Sequence, residues 1–148
     1  MSALLWAVVA VCLAGACIMD CRTCQVYNFF WWISGAAAVS LLLMRKEQVG
    51  VEEVAELGIF ILVQCTLFAK MYGRADCYAF SVCAAAEAAA GIGGIGFLAH
   101  MLGAFCLLAL VQGIRRNIDS RGNLKRPVPF LPYITLAFWA LLWYHYTC

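Results

Sequence analysis

Charge is what this sequence has least of. Only 12% of its 148 residues are Asp, Glu, Lys or Arg, while 66% are hydrophobic; an average soluble domain carries about 25% charged residues. A soluble chain of about 150 residues still leaves roughly 30% of its surface exposed after folding, and this one has too few polar side chains to cover it. The surplus apolar surface calls for lipid. A net charge of +2 is too small to argue for a nucleic-acid partner. The chain has no Gly-rich phosphate loop, no internal repeat of useful length and no room for a second domain, so residues 1–148 read as one unit.

The apolar amino terminus lacks the positive leading segment of a secretory signal, and Asp20 and Arg22 stand where a cleavage site would be. Leu13-Ala14-Gly15-Ala16-Cys17 approaches a lipoprotein site but is one residue too long in its spacing. The segment is therefore expected to remain as a first transmembrane helix. Of the nine cysteines, Cys12, Cys17, Cys65, Cys83 and Cys106 lie within apolar runs. There a thiol acts as a small hydrophobe, and no disulfide framework is implied.

A spanning helix needs roughly 20 mostly apolar residues, with about 17 as a lower limit. Residues 3–19, 27–44, 54–70, 76–91, 95–114 and 129–147 meet or approach that length, with Glu56 near the start of the third. Residues 76–114 as one helix would be about 58 Å long, so the glycines from Gly91 to Gly96 are expected to break it. The expected fold is an all-α membrane protein, a bundle of about six transmembrane helices. Loops after the odd helices hold Arg22, Lys70, Arg74, Arg115, Arg116, Arg121, Lys125 and Arg126, whereas the even loops hold Arg45 and Lys46. Basic residues mark the cytoplasmic side, which puts both termini outside and the cell membrane as the location. Trp31, Trp32, Trp139, Trp143 and Tyr144 fall near helix ends, as interfacial aromatics should. The polar stretch from Arg115 to Arg126, closed by Pro127-Val128-Pro129, reads as a basic cytoplasmic loop beside anionic headgroups.

This topology puts Asp20, at the end of helix one, and Asp76, at the start of helix four, on the same membrane boundary. Carboxylates there are costly to bury and are functional candidates. Two facing aspartates share a proton, so one can activate water while the other donates to a carbonyl oxygen. The bland alternative is that each caps a helix or pairs with a nearby arginine.

The surrounding residues carry a resemblance. Asp20-Cys21-Arg22-Thr23-Cys24-Gln25-Val26-Tyr27-Asn28 resembles a segment of the type IV prepilin peptidases in which Asp, Arg, an aliphatic residue, Pro and Asn recur at this spacing. Asp20, Arg22, Val26 and Asn28 match, with Tyr27 in the place of proline. Gly73-Arg74-Ala75-Asp76 is similar to the Gly-x-Gly-Asp motif of the same family, with Ala75 in a position where preflagellin peptidases accept a hydrophobic residue. Pro129-Phe130-Leu131-Pro132 fits the family's proline-rich entry to its last helix. Tyr78 stands where a lysine is frequent.

The resemblance implies an aspartic endopeptidase with Asp20 and Asp76 as its catalytic pair, supported by Arg22, Asn28, Gly73 and Ala75. Gly73 would let the backbone turn beside the acid, where a β-carbon would clash. The implied substrate is a pilin-like precursor with a short basic leader and an apolar helix, and membrane lipid is the other partner. No metal or cofactor is implied. Longer bacterial members add a zinc-binding cysteine cluster and N-methyltransferase activity; nothing here corresponds, so a minimal peptidase is expected.

Two other classes compete: a non-catalytic membrane assembly factor of the same fold, and a small transporter or channel subunit using Glu87 and His100 as a relay. Glu87 lies eleven residues beyond Asp76, on the same helix face and about 16 Å deeper, with His100 as a candidate partner. Cys21, Cys24 and Cys77 are three thiols without a nearby histidine, too few for a structural zinc site. They are expected to be reduced, with a Cys21–Cys24 disulfide as the regulatory alternative. The alanines from Ala84 to Ala90 suit either close helix packing or a groove for an incoming helix.

Overall fold

The apolar runs become helices, and glycine decides where one of them stops. A computed structural model describes residues 2–45, 47, 49–118 and 128–148, without the side chains of 115–118. The order is α1 (Ser2–Thr23), α2 (Asn28–Met44), α3 (Val51–Thr66), a 3-10 turn (Phe68–Lys70), α4 (Arg74–Ala90), α5 (Gly94–Ile118) and α6 (Leu131–Thr147). The described residues thus form six α-helices and no strand. Lys46, Arg121, Lys125, Arg126 and the side chains of Arg115 and Arg116, which weigh in the sidedness count, lie outside the described residues, as does Pro127. The expected basic loop starts later than residue 115, because α5 continues through Arg115 and Arg116 to Ile118.

The break at Gly91 has a backbone cause. Gly91 adopts φ +87° and ψ 20°, the left-handed conformation that closes a helix and that glycine enters freely. Its N–H and that of Ile92 turn back to the carbonyls of Ala88 and Glu87. Three residues on, α5 begins at Gly94, whose N–H donates to Glu56 Oε2 of α3 at 2.6 Å. The carboxylate that seemed out of place in the third apolar run therefore sits at a helix N-terminus, where negative charge is favoured.

The core is organised around α4. It packs against α2, α3, α5 and α6, and the others form an arc in the order α2, α1, α6, α5, α3. Ala79, Phe80 and every residue from Val82 to Ala90 are buried, so the alanine-rich stretch serves as the thin central helix onto which its neighbours close.

The helices are shorter than six full spans require. Among the described residues, only α1 and, within α5, Gly94–Ile114 are long and apolar enough to cross a membrane; Asn28–Met44 is apolar but shorter. The helices α3, α4 and α6 have 16, 17 and 17 residues, about 24–26 Å at 1.5 Å per residue against a hydrocarbon core of about 30 Å. The expected run 54–70 is divided: α3 ends at Thr66, and the last residues form the 3-10 turn. One aromatic also departs from expectation. Trp31 faces inward at 8% exposure, whereas Trp32 at 78% and Trp143 at 74% stay on the surface. Trp31 faces Tyr78 of α4, with ring centroids 6.5 Å apart, so packing against the central helix outweighs an interfacial position.

Candidate functional site

Asp20 does not end α1, as expected; the helix continues one turn further to Thr23. Cys24 then takes φ 50° and its N–H returns to the Asp20 carbonyl at 2.9 Å. The extra turn leaves the Asp20 side chain 8% exposed, facing the start of α6. There Oδ2 accepts the Leu131 N–H at 3.0 Å, and the Phe130 N–H lies close by. Pro132 occupies the first turn of α6 and has no N–H to offer, so Leu131 is a natural donor for an external acceptor. A second contact closes the same seam one turn below, between Cys17 Sγ and Thr135 Oγ1 at 3.1 Å.

Asp20 is therefore a helix cap supplied from another helix. An asparagine oxygen can accept the same N–H, whereas alanine cannot. Asp20→Ala is expected to cost about 1 kcal/mol of stability and Asp20→Asn much less, read as the shift in thermal unfolding midpoint in detergent.

Asp76 lies in the first turn of α4. Gly73, the residue before that helix, has φ +106° and ψ 156°, a backbone region open in practice to glycine alone. The backbone turn expected of this glycine is present, but the expected clash is not. A β-carbon there would come 3.6 Å from Asp76 Oδ2, an ordinary contact, so it is the dihedral angle, not crowding, that demands it. Asp76 is half-buried, and it lies close enough to Asp20 for the two carboxyl groups to interact electrostatically. Among the described residues neither acid is in a salt bridge, so the arginine-pairing alternative is not what holds them.

A phenol borders the pair. Tyr72, just before Gly73, lies within electrostatic reach of Asp76 and packs its ring against Phe68, Phe80, Phe105 and Phe130. Burial pushes its phenol well above the ordinary tyrosine value, keeping it a neutral donor, and it donates to Gln64 Oε1. Gln64 is fully buried in α3, with its Nε2 3.4 Å from Met101 Sδ. Sequence reasoning passed over Tyr72 and Gln64; an uncharged polar residue inside an apolar run was the available signal for Gln64.

The remaining motif residues are spread out. Arg22 and Asn28 are exposed, while Ala75 packs against the core. Asn28 opens α2 and lines a cleft of about 320 Å³ with Trp31, Trp32 and Tyr78. Tyr27 holds φ −70° and ψ 137°, within the range a proline ring imposes. Tyr27→Pro is accordingly expected to be neutral, or to raise stability by about 0.4–1 kcal/mol through a stiffer unfolded chain, as a melting curve would report. Cys21 and Cys24 are exposed, whereas Cys77 is buried and lines a cavity of about 80 Å³ together with Cys65, Ala69, Arg74 and Tyr78.

The core also contains a pair anticipated from helical spacing. Glu87 Oε1 meets His100 Nδ1 at 2.7 Å, with both side chains almost wholly buried. His100 Nε2 lies 2.9 Å from the Ile134 carbonyl of α6.

No protein-family model, curated protein or solved structure matches this chain.

Proposed function

We propose that this chain is an intramembrane aspartyl endopeptidase of the prepilin-peptidase type, cleaving the leader of a pilin-like precursor at the cytoplasmic membrane face. The observation that carries the reading is the approach of Asp20 on α1 to Asp76 on α4 at the start of α6, with both acids partly or fully withdrawn from water. Asp20 accepts a backbone N–H, which suits it to hold the negative charge. Asp76 then holds the shared proton.

In the reaction Asp20 takes a proton from water as the water oxygen bonds to the scissile carbonyl carbon, and Asp76 gives its proton to the carbonyl oxygen. Collapse of the tetrahedral diol returns one hydroxyl proton to Asp76, passes the proton held on Asp20 to the leaving nitrogen and breaks the C–N bond. Water is the only co-reactant. Six membrane passages and a cytoplasmic site belong to this proposal, and the two long apolar helices support its membrane part.

The test is co-expression with a pilin-like precursor, followed by Asp20→Asn and Asp76→Asn. Mature product should fall by about 100-fold or more in both while the protein stays in the membrane. Processing within about tenfold of wild type by either variant overturns the reading. The Asp20–Leu131 hydrogen bond also favours a second reading, a non-catalytic assembly factor in which Asp20 is structural. That reading expects both asparagine variants to retain full biological function.

A further inference from the structure

Each candidate acid is tied to a different helix, and what sets their separation is the register between those helices. Asp76 is part of α4, while Asp20, though on α1, is fastened to the first amide of α6. The spacing of the pair therefore depends on how α4 sits against α6. Besides the direct packing of α4 on α6, a polar side chain from a third helix reaches both: His100, from α5, meets Glu87 of α4 through Nδ1 at 2.7 Å and the Ile134 carbonyl of α6 through Nε2 at 2.9 Å.

The proton inventory follows from the partners. A backbone carbonyl only accepts, so His100 Nε2 carries a proton and donates it. Nδ1 faces a carboxyl oxygen, and one further proton lies between them, on Glu87 or on His100. In either form the 2.7 Å contact joins two buried polar groups; neither Glu87 oxygen has another hydrogen-bond partner among the described residues, so removing His100 leaves the carboxyl without compensation. The surrounding wall is apolar and aromatic: Phe80 lies 5.3 Å from the His100 ring and Phe138 6.0 Å.

We propose that Glu87 and His100 are positioning residues, a clamp that fixes α4 against α6 and thereby holds Asp76 at its working distance from Asp20. The inference rests on the peptidase reading above, in which the two acids act together. Neither clamp residue touches the reacting atoms. The clamp acts at a distance because Asp76 and Glu87 belong to one uninterrupted helix, so a shift at Glu87 is carried along α4 to its first turn.

The test separates position from folding. Removing Glu87 alone leaves a buried imidazole half-paired, so Glu87→Ala can fail by unfolding. The double variant Glu87→Leu with His100→Leu removes the whole pair, and such apolar replacements are frequently neutral or stabilising. With purified protein in detergent and a precursor substrate, the double variant should keep its thermal midpoint. Its kcat should fall about 10- to 100-fold with little change in KM, the scale of a misplaced catalytic group. Glu87→Gln retains a hydrogen-bonding group for His100 and should restore most of the rate. A distance measurement between spin labels at Tyr78 on α4 and Leu136 on α6 should broaden in the double variant, independently of any cleavage.

Wild-type kcat and an unchanged distance distribution in the double variant would overturn the clamp while leaving the peptidase reading intact. Loss of activity in Glu87→Gln equal to that in the double variant would also overturn it, pointing to the charge of Glu87. Failure of the peptidase reading looks different: wild-type protein would leave the precursor uncut, or Asp76→Asn would cut it at the wild-type rate.

Discussion

Asp76→Asn is expected to lower the rate of precursor cleavage by about 10²- to 10⁴-fold, the range that a positioned acid–base group contributes. Asparagine keeps the size of the side chain and removes the shared proton, so a bound water has a base on one side and no acid on the other. In the proposed dyad the two acids act as one unit and their losses do not add, so Asp20→Asn should have an effect of the same size. The double variant is therefore expected to be no slower than either single one. The Asp20 variant also keeps its hydrogen bond from Leu131, so its loss of rate is separable from loss of fold. Timed accumulation of mature product, normalised to the amount of membrane-inserted enzyme, is the measurement. A single variant within tenfold of wild type would remove that residue from the dyad.

Gly73→Ala is expected to be the most damaging change outside the acids. At φ +106° and ψ 156° a β-carbon costs about 1–3 kcal/mol. The chain would relieve that strain by rotating the peptide groups at the entrance to α4, which carries Asp76 three residues on. A displacement of about 1 Å at a catalytic group costs about 100-fold in rate. The strain comes from the backbone and not from crowding, so an opposing small residue cannot rescue it. Gly58→Ala is the matched control, since it lies inside α3 with open space around it, and its rate should be unchanged or its stability raised. Equal cleavage by the Gly73 variant and wild type would show that the turn does not govern the acid.

What could be read from the sequence was mostly local. The glycines after Ala90 announced a stop that Gly91 makes by its left-handed backbone. The eleven-residue spacing that turns Glu87 inward depends only on helical geometry, and His100 was its anticipated partner. Contacts set by chain closure were not legible. Asp20 and Leu131 meet from the two ends of the chain, and no local pattern announces that a carboxylate on the first helix will cap the last. The same holds for Tyr72 and Gln64, whose bond arises because the loop before α4 folds back over α3. Trp31 misled because an aromatic near a helix end suits either an interface or a core, and only the neighbour across the seam decides. Helix lengths were overestimated at α3 for a related reason: hydropathy continues through Phe68 and Ala69, but the backbone tightens there into a 3-10 turn.

Under the proposed six-span arrangement, the shortness of α3, α4 and α6 has a consequence for the surrounding lipid. A bilayer accommodates an undersized helix by thinning beside it, so headgroups and their hydration would dip toward the first turn of α4. Hydrolytic water would then reach a buried acid pair without any pore through the protein. A precursor helix matched to undisturbed membrane would overhang this depression, leaving its last turn unsupported by hydrocarbon and ready to unravel into an extended strand.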